Sequence, residues 1–317
     1  MDFRDYKSFW NDKAATPVGA RIAVDGSTDE HTLRLTGAFS AAQARAALDL
    51  QPTDRVFELG CGVGRIGREL AGDVARWHGL DISENMLAVA RERLRGVGDA
   101  HFDALHGSRL DALGDAVALV VAGVAVFIHM DKEDMVLYLR EVARVLRPGG
   151  LFYFDHWNLA HPVGWQRFEF EVAQAARVPP GQRKDVARNQ FCVPEELVAY
   201  VRGVGLEPLL VIGDSPNAQL VARKPDGDAG AEAEERARLQ RAAPRIDYGR
   251  DWTTYFEAIL EAEAAGAAPT RLMALLDARP ADDATAEMFR AWIAGLWRLR
   301  PAWGPVPASL SRFADQE

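Results

Sequence analysis

The sequence predicts an α/β fold: a doubly wound, mostly parallel seven-stranded sheet with an antiparallel C-terminal hairpin, followed by an α-helical C-terminal extension. Two observations predict it. Short apolar runs alternate with segments of helical periodicity as far as Lys224. Beyond that lysine, which is the last in the chain, strand patterns end and alanine, glutamate and arginine dominate. The 317 residues therefore divide into a sheet domain, 1–225, and a helical extension, 226–317.

Five apolar runs are predicted as parallel strands, because turns and helical segments separate them as parallel pairing requires. The runs are Arg55–Leu59, a run ending at Leu80-Asp81, Ala100–Leu105, Val117–Val121 and Leu151–Asp155. The fourth run is apolar throughout, which is typical of a central strand covered on both faces. These runs supply the parallel part of the sheet.

Helices and a hairpin complete this domain. Helical periodicity predicts helices at Ser83–Leu94, Glu133–Leu146 and Pro194–Val204, the second ended by a Pro-Gly-Gly segment. Only five residues separate the last two predicted strands, Pro208–Ile212 and Ala218–Arg223. So short a connection permits an antiparallel hairpin and excludes a crossover helix.

Two further helices are predicted before the first strand. Residues 40–43 (SAAQ) have capping-box spacing, which predicts a helix from Ser40 to about Leu48. In the preceding arm, 1–39, four aromatic residues would share one helical face: Phe3, Tyr6, Phe9 and Trp10. This face either docks the arm onto the core or covers a substrate.

Composition restricts the function classes. The net charge of −9 argues against a nucleic-acid surface, since phosphate binding needs clustered Lys and Arg. Two cysteines, Cys61 and Cys192, cannot form a disulfide framework and suit a reducing cytoplasm. No run resembles a signal peptide or a membrane span, so we expect a cytoplasmic protein without a membrane partner. Since no cluster of ligand residues suggests a metal, we expect none.

The most informative segment is Glu58–Gly64 (ELGCGVG), at the end of the first predicted strand. Its glycines let the backbone turn sharply and let a ligand approach the main chain, while the helix that follows directs free N–H groups at that ligand. Residues 62–67 (GVGRIG) also match a dinucleotide fingerprint, which makes an NAD(P)-dependent oxidoreductase an alternative. Counted from the strand end, however, Arg65 replaces the third glycine, and Glu58 would repel a pyrophosphate. The segment favours a nucleoside that carries positive charge.

Four ordered motifs resemble those of class I S-adenosylmethionine-dependent methyltransferases. They are Glu58–Gly64, Gly79–Ser83 with Met86-Leu87, Val117–Gly123 with Phe127–Met130, and Arg144–Gly150. The resemblance covers about residues 30–224, including the reversed seventh strand of the family. It implies S-adenosylmethionine as the cofactor and S-adenosylhomocysteine as the product.

The resemblance also implies which residues bind the cofactor. The glycine turn would support the methionyl part, and the two carboxylate oxygens of Asp81 would accept hydrogen bonds from the ribose hydroxyls. Ile82 and Met86 would pack on the adenine. Ser108 or Arg109 stands where the family often has an acid that binds the adenine amino group. The implied set is Glu58, Gly60, Cys61, Gly62, Gly64, Asp81, Ile82, Met86, Ser108, Arg109 and Gly123.

Methyl transfer requires alignment of the acceptor, exclusion of water and, for some acceptors, removal of a proton. His129, after the fourth strand, and His156, after the fifth, are the candidate catalytic bases, because ligands bind at the carboxyl ends of strands in open α/β sheets. Each histidine also has a purely structural interpretation. His129, for example, would only shape the pocket. His161 is a further candidate, and Asp155 would orient His156 or only end its strand.

Three segments are candidates for acceptor specificity: the N-terminal arm, an insertion at residues 157–190 and the extension. The insertion contains aromatic residues that would line an apolar or sugar-stacking pocket or form the core of a cap: Trp157, Trp165, Phe168 and Phe170. The extension contains tryptophans predicted as a core or as the seam of a homodimer: Trp252, Trp292, Trp297 and Trp303.

The predicted function is methyl transfer to a small-molecule acceptor, at oxygen in preference to nitrogen, on a secondary metabolite or a sugar. Residues 123–126 (GVAV) do not resemble the Asn-Pro-Pro-Tyr motif of enzymes that methylate adenine or glutamine nitrogen. Besides the oxidoreductase, the remaining alternative is a non-catalytic partner protein that keeps the methyltransferase fold and binds another chain through the extension.

Overall fold

The computed structural model describes residues 3–113, 117–122, 125–179 and 188–313. Within these residues, seven strands form one sheet in the order β3-β2-β1-β4-β5-β7-β6. The strands are β1 (Arg55–Leu59), β2 (Arg76–Asp81), β3 (Ala100–Ala104), β4 (Val117–Ala122), β5 (Leu146–Trp157), β6 (Glu207–Ile212) and β7 (Asn217–Arg223).

The sheet is parallel from β3 to β5, and β7 runs antiparallel to both of its neighbours. The predicted C-terminal hairpin is confirmed by the pairing of β6 with β7. Strand order reverses between β1 and β4, which are paired neighbours although β2 and β3 lie between them in the chain. In open α/β sheets, ligands bind beyond the carboxyl ends of the strands at such a reversal.

Twelve α-helices are described in these ranges. They are α1 (Phe3–Lys13), α2 (Pro17–Asp25), α3 (Glu30–Leu48), α4 (Gly67–Leu70), α5 (Glu84–Arg93), α6 (Lys132–Val145), α7 (Pro162–Ala175), α8 (Pro194–Gly203), α9 (Ala229–Ile246), α10 (Gly249–Ala265), α11 (Thr270–Asp277) and α12 (Ala284–Arg298). None of the described helices is long and apolar enough to cross a membrane.

Helices cover both faces of the sheet, and alternate residues of β5 show how. Phe152 and Phe154 share a core with α6 and α8, whereas Leu151 and Tyr153 share another with α3 and α9. Successive side chains of a strand point to opposite faces, so these two sets of residues belong to two different layers. Strand β5, which carries apolar residues on both faces, is therefore buried on both.

The helix before β1 starts earlier than predicted. The side chain of Asp29 accepts a hydrogen bond from the Thr32 N–H at 2.7 Å, so Asp29 caps α3. Ser40 lies inside α3, is buried, and accepts a hydrogen bond from the Arg65 guanidinium at 2.9 Å. The predicted start at Ser40 is wrong because its hydroxyl has a tertiary partner rather than a capping role.

Two other boundaries differ from the prediction. Helix α6 ends at Val145, and β5 begins at Leu146, which pairs with Val117 of β4. The Pro-Gly-Gly segment therefore lies within the extended strand instead of in a loop. The helix expected after the glycine segment Glu58–Gly64 is reduced to the single turn of α4.

The extension has two parts with different partners. Helix α9 packs on the sheet, since Leu239 and Ala242 share a core with Val221 of β7. The later helices build a separate core around Ile259 and Phe289, against which residues of α3 also pack. The domain boundary at 225/226 stays a prediction. Helix α9 follows this boundary in the chain but packs on the sheet.

Candidate active site

A cavity of about 370 Å³ lies beyond the carboxyl ends of β1, β2 and β4. Its wall includes Gly60 and Gly62 after β1 and Ala125 after β4. Tyr6 and Trp10 of α1 also line it, so the N-terminal arm forms part of the cavity wall, and Trp10 packs on the core as well. This is the place in the fold where a ligand is expected.

The glycine turn forms one side of this cavity because its backbone is left-handed. Gly60, Gly62 and Gly64 have φ of +66°, +51° and +68°. A Cβ on Gly60 would lie 2.6 Å from Val126, and one on Gly64 would lie 2.6 Å from Leu94. Gly60 and Gly62 reach the cavity, whereas Gly64 packs toward α5.

Asp81 joins the glycine turn to the end of β2. Its Oδ2 accepts a hydrogen bond from the Gly62 N–H at 2.8 Å, and its Oδ1 accepts one from the Ser83 N–H at 2.8 Å. Burial raises the pKa of this carboxyl to about 6. Ser83, and not Asp81, caps α5 by accepting from the Met86 N–H at 3.1 Å. The Asp81 carboxyl is therefore left as part of the cavity wall.

The structure places the other predicted cofactor residues differently from one another. Ile82, Met86 and Ser108 line the cavity. Arg109 is exposed and pairs with Asp111 at 2.9 Å, which turns it away from the wall and corrects its predicted role. The side chain of Cys61 is buried in the core beside Trp77 and does not line the cavity. Gly123 lies outside the described residues.

Glu58 also requires a correction. Its carboxyl is buried, accepts a hydrogen bond from the Trp77 Nε1–H at 3.0 Å, and does not line the cavity. Burial raises the pKa of Glu58 to about 8, so the group is largely protonated at neutral pH. The predicted attraction between Glu58 and a cationic ligand is not supported, because the side chain points away from the cavity and carries little charge.

The two candidate bases occupy different places. His129 ends the 3-10 helix Phe127–His129 and lines the cavity, with its ring centroid 5.2 Å from that of Trp10. His156 lies two positions after Phe154, on the same face of β5, and is almost fully buried. Its Nε2 lies 3.8 Å from the Cys192 Sγ.

Burial lowers the pKa of His156 to about 4, so the ring is neutral. It lines neither this cavity nor the second one described below. Its burial and its absence from both cavity walls contradict its predicted role as a base. His161 caps α7, accepting from the Val163 N–H at 3.2 Å.

Comparisons with known proteins agree with this geometry. A family model described as "Methyltransferase domain" matches residues 56–150. Methyltransferase GfsG of Streptomyces halstedii is 38% identical over 107 residues, which are 32% of this chain and 37% of that protein. A ubiquinone biosynthesis O-methyltransferase of Aromatoleum aromaticum is 30% identical over 176 residues, which are 51% of this chain and 68% of that protein. The chain belongs to the S-adenosylmethionine-dependent methyltransferases.

A solved structure shows that this methyltransferase shares its fold with distant enzymes. Magnesium protoporphyrin IX methyltransferase of Synechocystis, crystallised with S-adenosylhomocysteine, aligns with a TM-score of 0.53 and 18% identity. The alignment covers 70% of this methyltransferase and 100% of the other chain. The alignment with GfsG, in contrast, spans little more than a third of that relative.

The methyltransferase has a second cavity, of about 240 Å³, that the sequence did not reveal. Val24 and Ala125 line both cavities, so the two adjoin. Trp252 of α10 and Trp292 of α12 lie on its wall and also pack against the core of the extension, as predicted, whereas their role in a dimer seam stays a prediction. Of the insertion's aromatic residues, Trp157 reaches this wall.

Asp155 of the methyltransferase supports the junction of the two cavities. Its Oδ1 accepts from the Ala125 N–H at 2.9 Å, and its Oδ2 accepts from the Tyr248 Oη–H at 2.7 Å and from the Asn217 Nδ2–H at 3.3 Å. Burial raises the pKa of Asp155. Its position at the carboxyl end of a strand was a signal for function, but its partners could not be read from the pattern. No group of three or more His, Cys, Asp or Glu in the described ranges is placed to hold a metal ion.

Proposed function

We propose that the protein transfers a methyl group from S-adenosylmethionine to an oxygen of a small-molecule acceptor. The observation that carries the proposal is the union of Asp81 and the left-handed glycine turn on the wall of one cavity. The cofactor would occupy this cavity of about 370 Å³, and the acceptor would approach from the adjoining one. The relative named as an O-methyltransferase supports oxygen as the accepting atom.

The residues present fit this cofactor. Each Asp81 oxygen accepts one backbone N–H and keeps a lone pair that a ribose hydroxyl can use. Ile82, Met86 and Leu105 give the wall an apolar part against which a purine can pack. When bound, the cofactor supplies a methyl group activated by its sulfonium sulfur.

The chain's own contribution is alignment, exclusion of water and removal of a proton. Trp10 and Tyr6 of α1 cover the cavity, and the Tyr6 oxygen accepts a hydrogen bond from the Asp131 N–H at 3.3 Å, which ties α1 to the segment before α6. His129 is the histidine on the wall, and its ring would accept the proton that an acceptor hydroxyl loses.

Calorimetric titration with S-adenosylhomocysteine tests the cofactor assignment. We expect a dissociation constant in the micromolar range. Asp81→Asn should weaken it by about tenfold or more, because the new amide directs N–H groups toward backbone donors. The matched control is Asp99→Asn, since Asp99 is exposed and pairs with Arg76 and His101. Tight binding of NAD(H), or equal affinity of the wild type and Asp81→Asn, would contradict the proposal.

A further inference from the structure

We infer that the second cavity binds the methyl acceptor and that this acceptor is a flat aromatic compound carrying a hydroxyl group. The inference rests on the proposed function and deepens it. It also gives residues 226–317 a role, because Tyr248, Trp252, Phe256, Phe289 and Trp292 of this extension line the cavity. The acceptor site is then completed by a segment outside the family's shared motifs.

The aromatic part of the wall offers ring faces to a flat ligand. The rings of Trp252 and Phe256 are stacked, with centroids 4.9 Å apart and planes 12° apart. Trp157 lies 5.5 Å from Phe256, and Tyr248 lies 4.5 Å from Trp252, both in tilted arrangements. Aromatic ligands gain about 0.5–1.5 kcal/mol from such faces beyond the burial of area.

Several polar side chains also lie on this wall, and Arg65 is a donor among them. Arg65 is buried and donates to the Thr36 carbonyl at 2.8 Å and to the Ser40 Oγ at 2.9 Å. Its Nε has no hydrogen-bond partner among the described residues and lies 3.6 Å from the Asp25 carboxylate. The Asp25 carboxylate is therefore the ion-pair partner of this buried guanidinium.

Asn217, on the same wall, carries an acceptor. Asn217 donates through Nδ2 to the Asp155 carboxylate, which fixes the orientation of the amide, because the reversed amide would place two oxygens together. The buried Asn217 Oδ1 has no partner among the described residues. A ligand hydroxyl that donates to Oδ1 would complement this part of the wall.

These groups favour an aromatic hydroxy compound over a sugar. A sugar carries a hydroxyl on most ring carbons, and each one needs a partner when it leaves water. Phe39, Ile128 and Met288 extend the apolar part of the wall instead. Because Val24 and Ala125 belong to both walls, a hydroxyl at this boundary lies next to the cofactor cavity.

The test uses 1-naphthol as the aromatic probe on the full chain, with and without S-adenosylhomocysteine, followed by tryptophan fluorescence and calorimetry. The two comparison probes are decahydro-1-naphthol, which has the same skeleton without aromaticity, and methyl glucoside. We expect micromolar binding of 1-naphthol, about tenfold weaker binding of the saturated alcohol, and no saturable binding of the glucoside. Equal affinity for the two alcohols, or preference for the glucoside, would overturn the inference.

Variants locate the probe. Trp252→Leu should weaken 1-naphthol about tenfold, whereas Trp303→Leu, which alters the extension beside Trp297 and away from the cavity, should change it less than about twofold. Phe256→Leu provides a second variant if Trp252→Leu does not fold. Unchanged 1-naphthol affinity in a folded Trp252→Leu or Phe256→Leu protein would overturn the inference. If such a variant still bound S-adenosylhomocysteine, the proposed function would stand and only the inference about the acceptor would fail. If the wild-type protein did not bind S-adenosylhomocysteine, the proposed function itself would be refuted.

Discussion

The carboxylate of Asp155 holds the main chain of Ala125, with 2.9 Å between Oδ1 and the amide nitrogen. Ala125 has a φ of +72°, a left-handed conformation that costs a residue with a Cβ about 1–2 kcal/mol. Because Ala125 lines both cavities, a strained residue is fixed at their boundary by a buried carboxylate. The same carboxylate accepts the Tyr248 hydroxyl, which connects the boundary to the extension.

Removal of the Tyr248 hydroxyl should loosen this boundary. In Tyr248→Phe, Asp155 loses one of three donors, so we expect a loss of about 1–2 kcal/mol in the free energy of unfolding and a lower kcat. Urea unfolding and a methyl-transfer assay measure the two effects. The control Tyr200→Phe removes a hydroxyl that bonds to Glu196 and should leave kcat unchanged. Equal behaviour of the two variants would refute the role of Tyr248.

Cofactor binding should depend on pH through Asp81. Its pKa in the folded protein, about 6, lies above the ordinary 3.8 because of burial, so ionisation costs folding stability as pH rises through this interval. The ionised form is the one that accepts both ribose hydroxyls. We therefore expect the affinity for S-adenosylhomocysteine to fall about tenfold between pH 7 and pH 5. Calorimetry at both pH values measures this, and a flat profile for the wild type, like that expected of Asp81→Asn, would contradict the assignment.

His129 and His156 should respond differently to the same substitution. His129→Gln is expected to lower kcat by about 10²-fold or more, because it removes the proposed base from the cavity wall. His156→Gln should leave kcat within about threefold, since His156 lines neither cavity. Steady-state kinetics on both variants decides between them, and a larger loss at His156 would restore the sequence-based prediction.

The stability of the protein at acid pH should report on His156. Its folded-state pKa of about 4 lies below the ordinary 6.5, so the stability associated with the neutral ring is present above pH 6.5 and is lost as pH falls toward 4. The loss is about 3 kcal/mol for a shift of this size. Unfolding free energies of the wild type and His156→Gln over this range should converge, while the exposed control His101→Gln should follow the wild type.

Gly60 should not tolerate a side chain. Gly60→Ala places a Cβ 2.6 Å from Val126 at a φ of +66°, so we expect a loss of about 1–3 kcal/mol in stability and weaker binding of S-adenosylhomocysteine. Gly203→Ala at the end of α8 is the control, because a Cβ there meets no atom within 4 Å. Thermal unfolding and calorimetry compare the two, and equal stability would refute the steric argument.

Sequence patterns predicted correctly those features of the fold and of the candidate site that depend on a few neighbouring residues. The apolar runs of β1 and β4, the glycine turn and Asp81 at the end of β2 are each specified within a few neighbouring residues. His156 shows the limit of such patterns. Its place at the end of β5 was predicted, but the face on which its ring lies depends on the alternation of that strand, and one position separates Asp155 from His156.

The second cavity could not be predicted, because its wall joins residues that are distant in sequence. Trp292 donates a hydrogen bond to the Asp25 carbonyl across 267 positions, and Tyr248 reaches Asp155 across 93. The sequence predicted Trp252 as part of a core or of a dimer seam. It could not distinguish a face that is packed solid from one that leaves room for a ligand.

The bond between Trp292 and Asp25 has a mechanical consequence. Asp25 ends α2, and its neighbour Val24 is a wall residue of both cavities. Helix α12, near the C-terminus, is thereby hydrogen-bonded to α2, near the N-terminus, at the boundary between the two cavities. Any displacement of α2 would therefore alter the walls of both cavities, because Val24 belongs to both.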